Sequence, residues 1–232
     1  MSLWDYIIPE VLPKGMFSNN NAKNTKQFLV SVYDAVTISA HVYMDRTDSI
    51  LRNDWIVAPQ SPWETTKVKG QLYQRKFAGE MQYVYAFAGS TLNVDDWVNN
   101  AKQMIGLSND YKLAVEEAEK ISSKYKNCKL AFVGHSKGGG EAILCSLKTG
   151  RPAVVFNPAP VSLPTKLFNG IFYDSCNNID IYVNSKDPLY NANNIAKYYG
   201  LNGLEGRFHR IESKGFENIH SIDFFLKHFG VI

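Results

Sequence analysis

Cysteine is scarce: Cys128, Cys145 and Cys176 stand far apart in 232 residues, with no C-x-x-C pair. An odd number at such spacing argues against a disulfide framework or a zinc site, and free thiols in a reducing compartment are expected. No run of 18 apolar residues occurs, so no transmembrane helix is expected. A secretory leader needs basic residues ahead of an unbroken apolar stretch. Here Asp5 and Pro9 bracket only a few apolar positions and no Lys or Arg precedes them, which makes a cytoplasmic location the expectation. Neither sign of charge dominates, with 25 basic and 22 acidic residues and a formal charge of +3. That balance removes any electrostatic case for nucleic acid or an anionic membrane as the main partner. Histidine, cysteine and aspartate nowhere cluster at ligand spacing, so neither a metal nor another cofactor is expected.

What is present is an ordinary globular composition, 45% hydrophobic and 20% charged. The length suits one domain with a sizeable core. The polar run at 18–25 reads as a linker. It divides an N-terminal arm with its linker (1–26) from a single body at 27–232. Apolar spacing over 27–44 (Phe28, Val32, Ala35, Val36, Ala40, Tyr43) fits a helical face. Aromatic and branched runs at 54–58, 68–77 and 81–88 read as strands. Helical patterns follow at 96–105 and 111–124. Strands at 129–133, 153–156, 179–183 and 207–211 then alternate with helices at 138–148 and 221–229. Such alternation predicts an α/β fold with a mostly parallel, twisted central sheet and helices on both faces. Functional residues are then expected at the carboxyl ends of the strands.

At one such end stands Gly134-His135-Ser136-Lys137-Gly138, a G-x-S-x-G at a strand-to-helix junction. A serine in so tight a turn leaves no room for side chains two positions either side, which glycine satisfies. Gly139, Gly140 and Ala142 should let the following helix approach the sheet. The motif alone turns up by chance in roughly one chain of this length in ten, so its context matters. A phosphate-binding loop needs Lys followed by Ser or Thr, and a dinucleotide fingerprint needs G-x-G; neither fits. Ser136 is therefore the candidate nucleophile.

In this arrangement an acid and then a histidine follow the serine along the chain. Asp187 lies just past a buried strand and precedes Pro188, where a carboxylate can orient an imidazole. The competing reading is a turn-former before proline. Asp180 belongs at the wrong end of its strand, and Asp174 in a polar loop. Among the later histidines, His209 alternates within a strand and His228 sits near a helix end, leaving His220, in a loop, as the candidate base. His135 cannot turn its ring to its neighbour's hydroxyl and is assigned to support. The oxyanion needs donors; the backbone N–H of Lys137 is one candidate, and Ser90, after the strand ending in Gly89, is the other.

Taken together, Phe87 to Ser90 with Trp97 soon after, Gly134 to Gly138, Val183 to Pro188, and His220 ahead of an aromatic pair resemble the class 3 (fungal-type) lipase family of α/β-hydrolases. The Lys137-Gly138-Gly139-Gly140 run looks closer to a little-characterised bacterial lipase-like branch. The resemblance implies an α/β-hydrolase fold, a Ser136–Asp187–His220 triad and an oxyanion role for Ser90. It covers about 80–225. It also implies cleavage of a carboxylic ester or lipid acyl bond through an acyl-enzyme, with a small-molecule or lipid acyl substrate and at most transient contact with a lipid surface.

Val94, Trp97, Val98, Ala101, Met104 and Ile105 fall at helical spacing after the oxyanion loop. They are either a lid or a helix packed on the sheet. Asp95 and Asp96 suit the start of that helix better than catalysis. Two alternatives stay open at this level. One is a non-catalytic binding or scaffold protein on the same fold; the other is a thioesterase, peptidase or acyltransferase with the same triad.

Overall fold

In the computed structural model, residues 30–43, 48–59, 68–89, 109–172, 178–191, 194, 206–213 and 218–232 are described. The order of elements is α1 (Val32–His41), β1 (Ile56–Val57), β2 (Gly70–Phe77), β3 (Glu80–Phe87), α2 (Asn109–Lys124), β4 (Lys129–His135), α3 (Lys137–Thr149), β5 (Ala153–Phe156), α4 (Leu163–Phe168), β6 (Ile179–Asn184), β7 (Arg207–Ile211) and α5 (Ile222–His228).

The seven strands form one sheet in sequence order. β1, β2 and β3 pair antiparallel, and every pair from β3 to β7 is parallel. Side chains alternate across this sheet, so the core divides in two. Tyr85, Phe87, Leu130, Phe132, Val155, Ile179 and Ile181 face α2 and α3. Val84, Ala86, Ala131, Val133, Val154 and Phe156 face α1 and α5. Strands buried on both faces explain the unbroken apolar runs at 130–133 and 153–156. Each large apolar side chain so buried stabilises the fold by roughly 1.5–3 kcal/mol.

Local chemistry sets the ends. α1 begins at Val32 because the Ser31 hydroxyl accepts the Asp34 N–H at 3.1 Å. Serine caps also open α4, at Ser162, and α5, at Ser221. β1 is shorter than the run at 54–58 suggests, because Asn53 and Asp54 take positive φ of 55° and 61° in a turn. β4 continues past Val133, since Gly134 and His135 still pair with Val155 and Phe156. Six-residue α4 gives too little periodicity to read from sequence, and Leu167 and Phe168 on it are exposed. Cys145 is buried and free, and Cys128 is half-buried and free. The arm at 1–26, Cys176, Asp174 and the helix read at 96–105 lie outside the described residues.

Candidate active site

The carboxyl ends of β3, β4, β5 and β6 meet around Ser136. This residue holds φ 58° and ψ −127°, a left-handed conformation rare for a side-chain-bearing residue. Neighbouring backbone holds it there. Its N–H donates to Phe156 O at 3.1 Å, while its carbonyl accepts from Gly140 N at 3.1 Å and Ala159 N at 2.9 Å. The elbow glycines are a steric necessity. A Cβ on Gly134 would stand 2.3 Å from Gly138 O, and one on Gly138 would stand 2.2 Å from Phe87 O. Gly139 makes room for Pro158 after β5 and for the Gly134 carbonyl of β4, and Gly140 for Tyr111 of α2 and Ala159.

His220 lies in the turn before α5 and reaches both partners. Its Nδ1 is 2.6 Å from Asp187 Oδ2 and its Nε2 is 2.9 Å from Ser136 Oγ. With Nδ1–H donating to the carboxylate, Nε2 is left to accept from the serine hydroxyl. Asp187 is fully buried. Its second oxygen accepts from Leu189 N at 2.8 Å and Tyr190 N at 3.3 Å, at the start of a helical segment at 188–191. One oxygen of Asp187 thus caps a turn while the other meets the His220 imidazole.

His209, His228 and His135 have other partners. His209 is exposed and pairs with Asp180 at 2.9 Å, where Arg207 also holds that carboxylate, at the start of β6. His228 closes α5. His135 turns away from its neighbour: its Nε2 is 2.6 Å from His220 O and its Nδ1 is 3.0 Å from the Tyr43 hydroxyl. Burial, with the His220 ring beside it, pushes His135 down to about 3.

Lys137, the first residue of α3, points its N–H out of the helix N-terminus, where no intrahelical partner exists for it. Its ammonium pairs with Asp110 and lies 3.6 Å from Glu141. Burial pushes Glu141 up to about 8, against the pull of Lys137. Gly89 backs on the nucleophile, since a Cβ there would lie 3.4 Å from Ser136 Cβ. Ser90 and the candidate lid positions Val94, Trp97, Val98, Ala101, Met104 and Ile105 lie outside the described residues, as do Asp95 and Asp96.

Two residues of this site escape sequence reading, one buried and one half-buried. Asn157, at φ 38°, donates from Nδ2 to Ile219 O at 2.9 Å and accepts the Asn184 N–H at 2.8 Å. Tyr43 is the other. Asn157 has a faint signal in sequence, an Asn-Pro pair directly after a buried strand. Tyr43 has none, being 92 residues from its partner.

The strand order, the elbow and the helices on both faces define an α/β-hydrolase. The chain is similar in fold to the Rhizomucor miehei lipase–propeptide complex. A deletion-mutant structure of that complex aligns with a TM-score of 0.51 and 17% identity, over 82% of this chain and 70% of that one. The native complex aligns at 0.47 and 18% identity, over 76% and 66%. The chain belongs to the phospholipase-like family defined by the Tle-like phospholipase domain, whose model matches residues 31–165. That span takes in Ser136; Asp187 and His220 lie beyond it. A curated relative, the extracellular phospholipase A1 of Serratia liquefaciens, is 40% identical over 87 residues, which is 37% of this chain and 27% of that enzyme. The lipase-like resemblance therefore stands, placed in a phospholipase-like family. No helix among the described residues is long and apolar enough to cross a membrane. The cytoplasmic expectation gains no support from a relative named as extracellular.

Proposed function

We propose that this chain is a serine hydrolase that cuts carboxylic ester bonds of phospholipids. Ser136 is the nucleophile, His220 the general base and Asp187 the acid that orients it. The observation carrying the reading is His220 bridging a strained serine and a buried carboxylate at 2.9 and 2.6 Å. The phospholipase-like family supports the substrate class.

In the first half-reaction Ser136 Oγ attacks the ester carbonyl carbon and its proton passes to His220 Nε2. The tetrahedral oxyanion takes the N–H of Lys137 and, on the sequence reading, a donor from Ser90. As the ester C–O bond breaks, the leaving alcohol takes the proton from His220. Water, deprotonated by the same nitrogen, then attacks the acyl-enzyme and releases the fatty acid. A non-catalytic scaffold has no need of a serine at φ 58° beside a buried histidine.

A fluorophosphonate probe, applied to wild type and Ser136→Ala and followed by peptide mass spectrometry, tests the nucleophile. Phosphatidylcholine vesicles, triacylglycerol emulsions, p-nitrophenyl butyrate and an acyl-thioester, assayed in parallel, test the substrate. Adduct on Ser136 alone, with fatty acid released from phosphatidylcholine, is the expected result. Absence of adduct on folded protein overturns the mechanism, and thioester preference overturns the substrate class.

A further inference from the structure

The backbone on either side of His220 is held by side chains that do not touch the reacting atoms. The Ile219 carbonyl belongs to the peptide plane before the His220 Cα, and the His220 carbonyl to the plane after it. Asn157, just past β5, donates to the first at 2.9 Å. His135, at the end of β4, donates from Nε2 to the second at 2.6 Å. Two rigid planes fixed on either side of one Cα fix its φ and ψ, and with them the direction of Cα–Cβ. Only the two side-chain torsions of His220 remain, and Asp187 and Ser136 set those.

Each anchor is itself secured. Nε2 of His135 donates to a carbonyl only when it carries the proton, so a neutral ring must accept at Nδ1. The Tyr43 hydroxyl, 3.0 Å away, supplies that hydrogen bond and thereby sets the tautomer. Asn157 is fixed by the Asn184 N–H at 2.8 Å on its oxygen and by its own N–H to Tyr182 O at 2.9 Å. Asparagine tolerates the φ of 38° that this placement needs. Asn184 in turn accepts the Asp187 N–H at 2.9 Å, so Asn157 ties the base turn to the segment carrying the acid. His135, Asn157, Asn184, Asp187 and His220 are buried, while Tyr43, Tyr182 and Ile219 are half-buried.

We propose that His135, oriented by Tyr43, and Asn157 are positioning residues that clamp the base turn and set the angle at which His220 meets Ser136. This rests on the triad reading above. Misplacing a reacting group by about 1 Å costs on the order of 10²-fold in rate, which sets the scale.

The test is kcat per labelled site on p-nitrophenyl butyrate, with sites counted by the end point of fluorophosphonate labelling. His135→Ala is expected to lower kcat per site by roughly 10- to 100-fold, with KM within about twofold. His135→Gln, whose terminal amide N–H can reach the same carbonyl, is expected to recover most of that loss. Tyr43→Phe, which frees the tautomer but keeps the donor, is expected to lose a few-fold. Asn157→Gly keeps the left-handed backbone, removes the donor to Ile219, and is expected to lose about tenfold. It also serves where His135→Ala does not fold. A residue that only held the fold together would reduce the number of labelled sites and leave kcat per site alone; that result overturns the clamp. So does a Gln variant no better than Ala. Ser136→Ala separates the two readings. Turnover surviving in Ser136→Ala overturns the triad, and a dead Ser136→Ala beside wild-type kcat per site in His135→Ala and Asn157→Gly overturns the clamp alone.

Discussion

Ser136 stands between two polar clusters of opposite character. Toward α1 and α5, Tyr43 bonds His135, His135 and Asn157 each bond the base turn, and Asn157 also bonds Asn184, over 2.6 to 3.0 Å; His135 is kept neutral by burial. Toward α2, Lys137 serves two carboxylates, Asp110 and Glu141, and the Oε2 of Glu141 is buried without a hydrogen-bond partner among the described residues. In the clamp proposed above, the first cluster fixes direction without adding a charge of its own beside His220. The second places charge around the first turn of α3 and leaves one oxygen unsatisfied, an arrangement that destabilises as much as it orders. The contrast teaches that geometry is maintained on one flank and electrostatic tension is stored on the other.

The largest effect that sharpens this contrast belongs to the acid. Asp187→Asn keeps an oxygen for the Leu189 and Tyr190 N–H groups, because Asn caps a helix about as well as Asp. Its amide nitrogen, however, then faces His220 Nδ1 and forces the wrong tautomer. A fall in kcat on the order of 10⁴-fold with a nearly unchanged melting temperature is expected. Glu141→Gln on the other flank is expected to leave kcat within a few-fold. Comparable losses from the two variants would dissolve the distinction.

Acid should attack the neutral flank next. His135 ordinarily titrates near 6.5 and is pushed down to about 3 here. The unfolded chain therefore binds a proton that the folded chain refuses. Stability from the neutral ring is full above about 6.5 and is lost as pH falls from there toward 3, by an amount on the order of a few kcal/mol. Denaturant titrations between pH 7 and 4 should show this fall in wild type and a shallower one in His135→Gln. Equal slopes would mean that other groups carry the acid sensitivity.

Legibility from sequence divides along the same line. The parallel half of the sheet announces itself because strands buried on both faces are continuously apolar, as at 130–133 and 153–156. Ser136 is legible because its turn admits only glycine at 134 and 138. The Asp187 candidate is legible because it stands just past a strand and directly before a proline. His220 follows by chain order. Each of these signals is local. Tyr43 and Asn157 act on residues 92 and 62 positions away, and the pairing exists only once the sheet has brought β4, β5 and the base turn together. Glu141 reads as an ordinary helical residue, and only the packing of α3 against α2 shows it to be buried.

That buried carboxylate gives the smallest effect, and its sign is opposite to that of His135. Glu141 is raised to about 8 from an ordinary 4.5, so between those values the folded chain holds a proton that the unfolded chain has released. Stability from the protonated form is complete below about 4.5 and is lost as pH rises toward 8. Because the Lys137 side chain keeps 21% of its surface exposed, the cluster relaxes partly into water. The loss is therefore expected to be only about 1–2 kcal/mol, or a few degrees of melting temperature. Glutamine has nearly the same shape and no proton to lose. Glu141→Gln should melt above wild type at pH 8, with the gap closing by pH 5. A gap that stays constant across this range would mean that Glu141 is ionised throughout, and that Lys137 compensates it fully despite the unpaired oxygen.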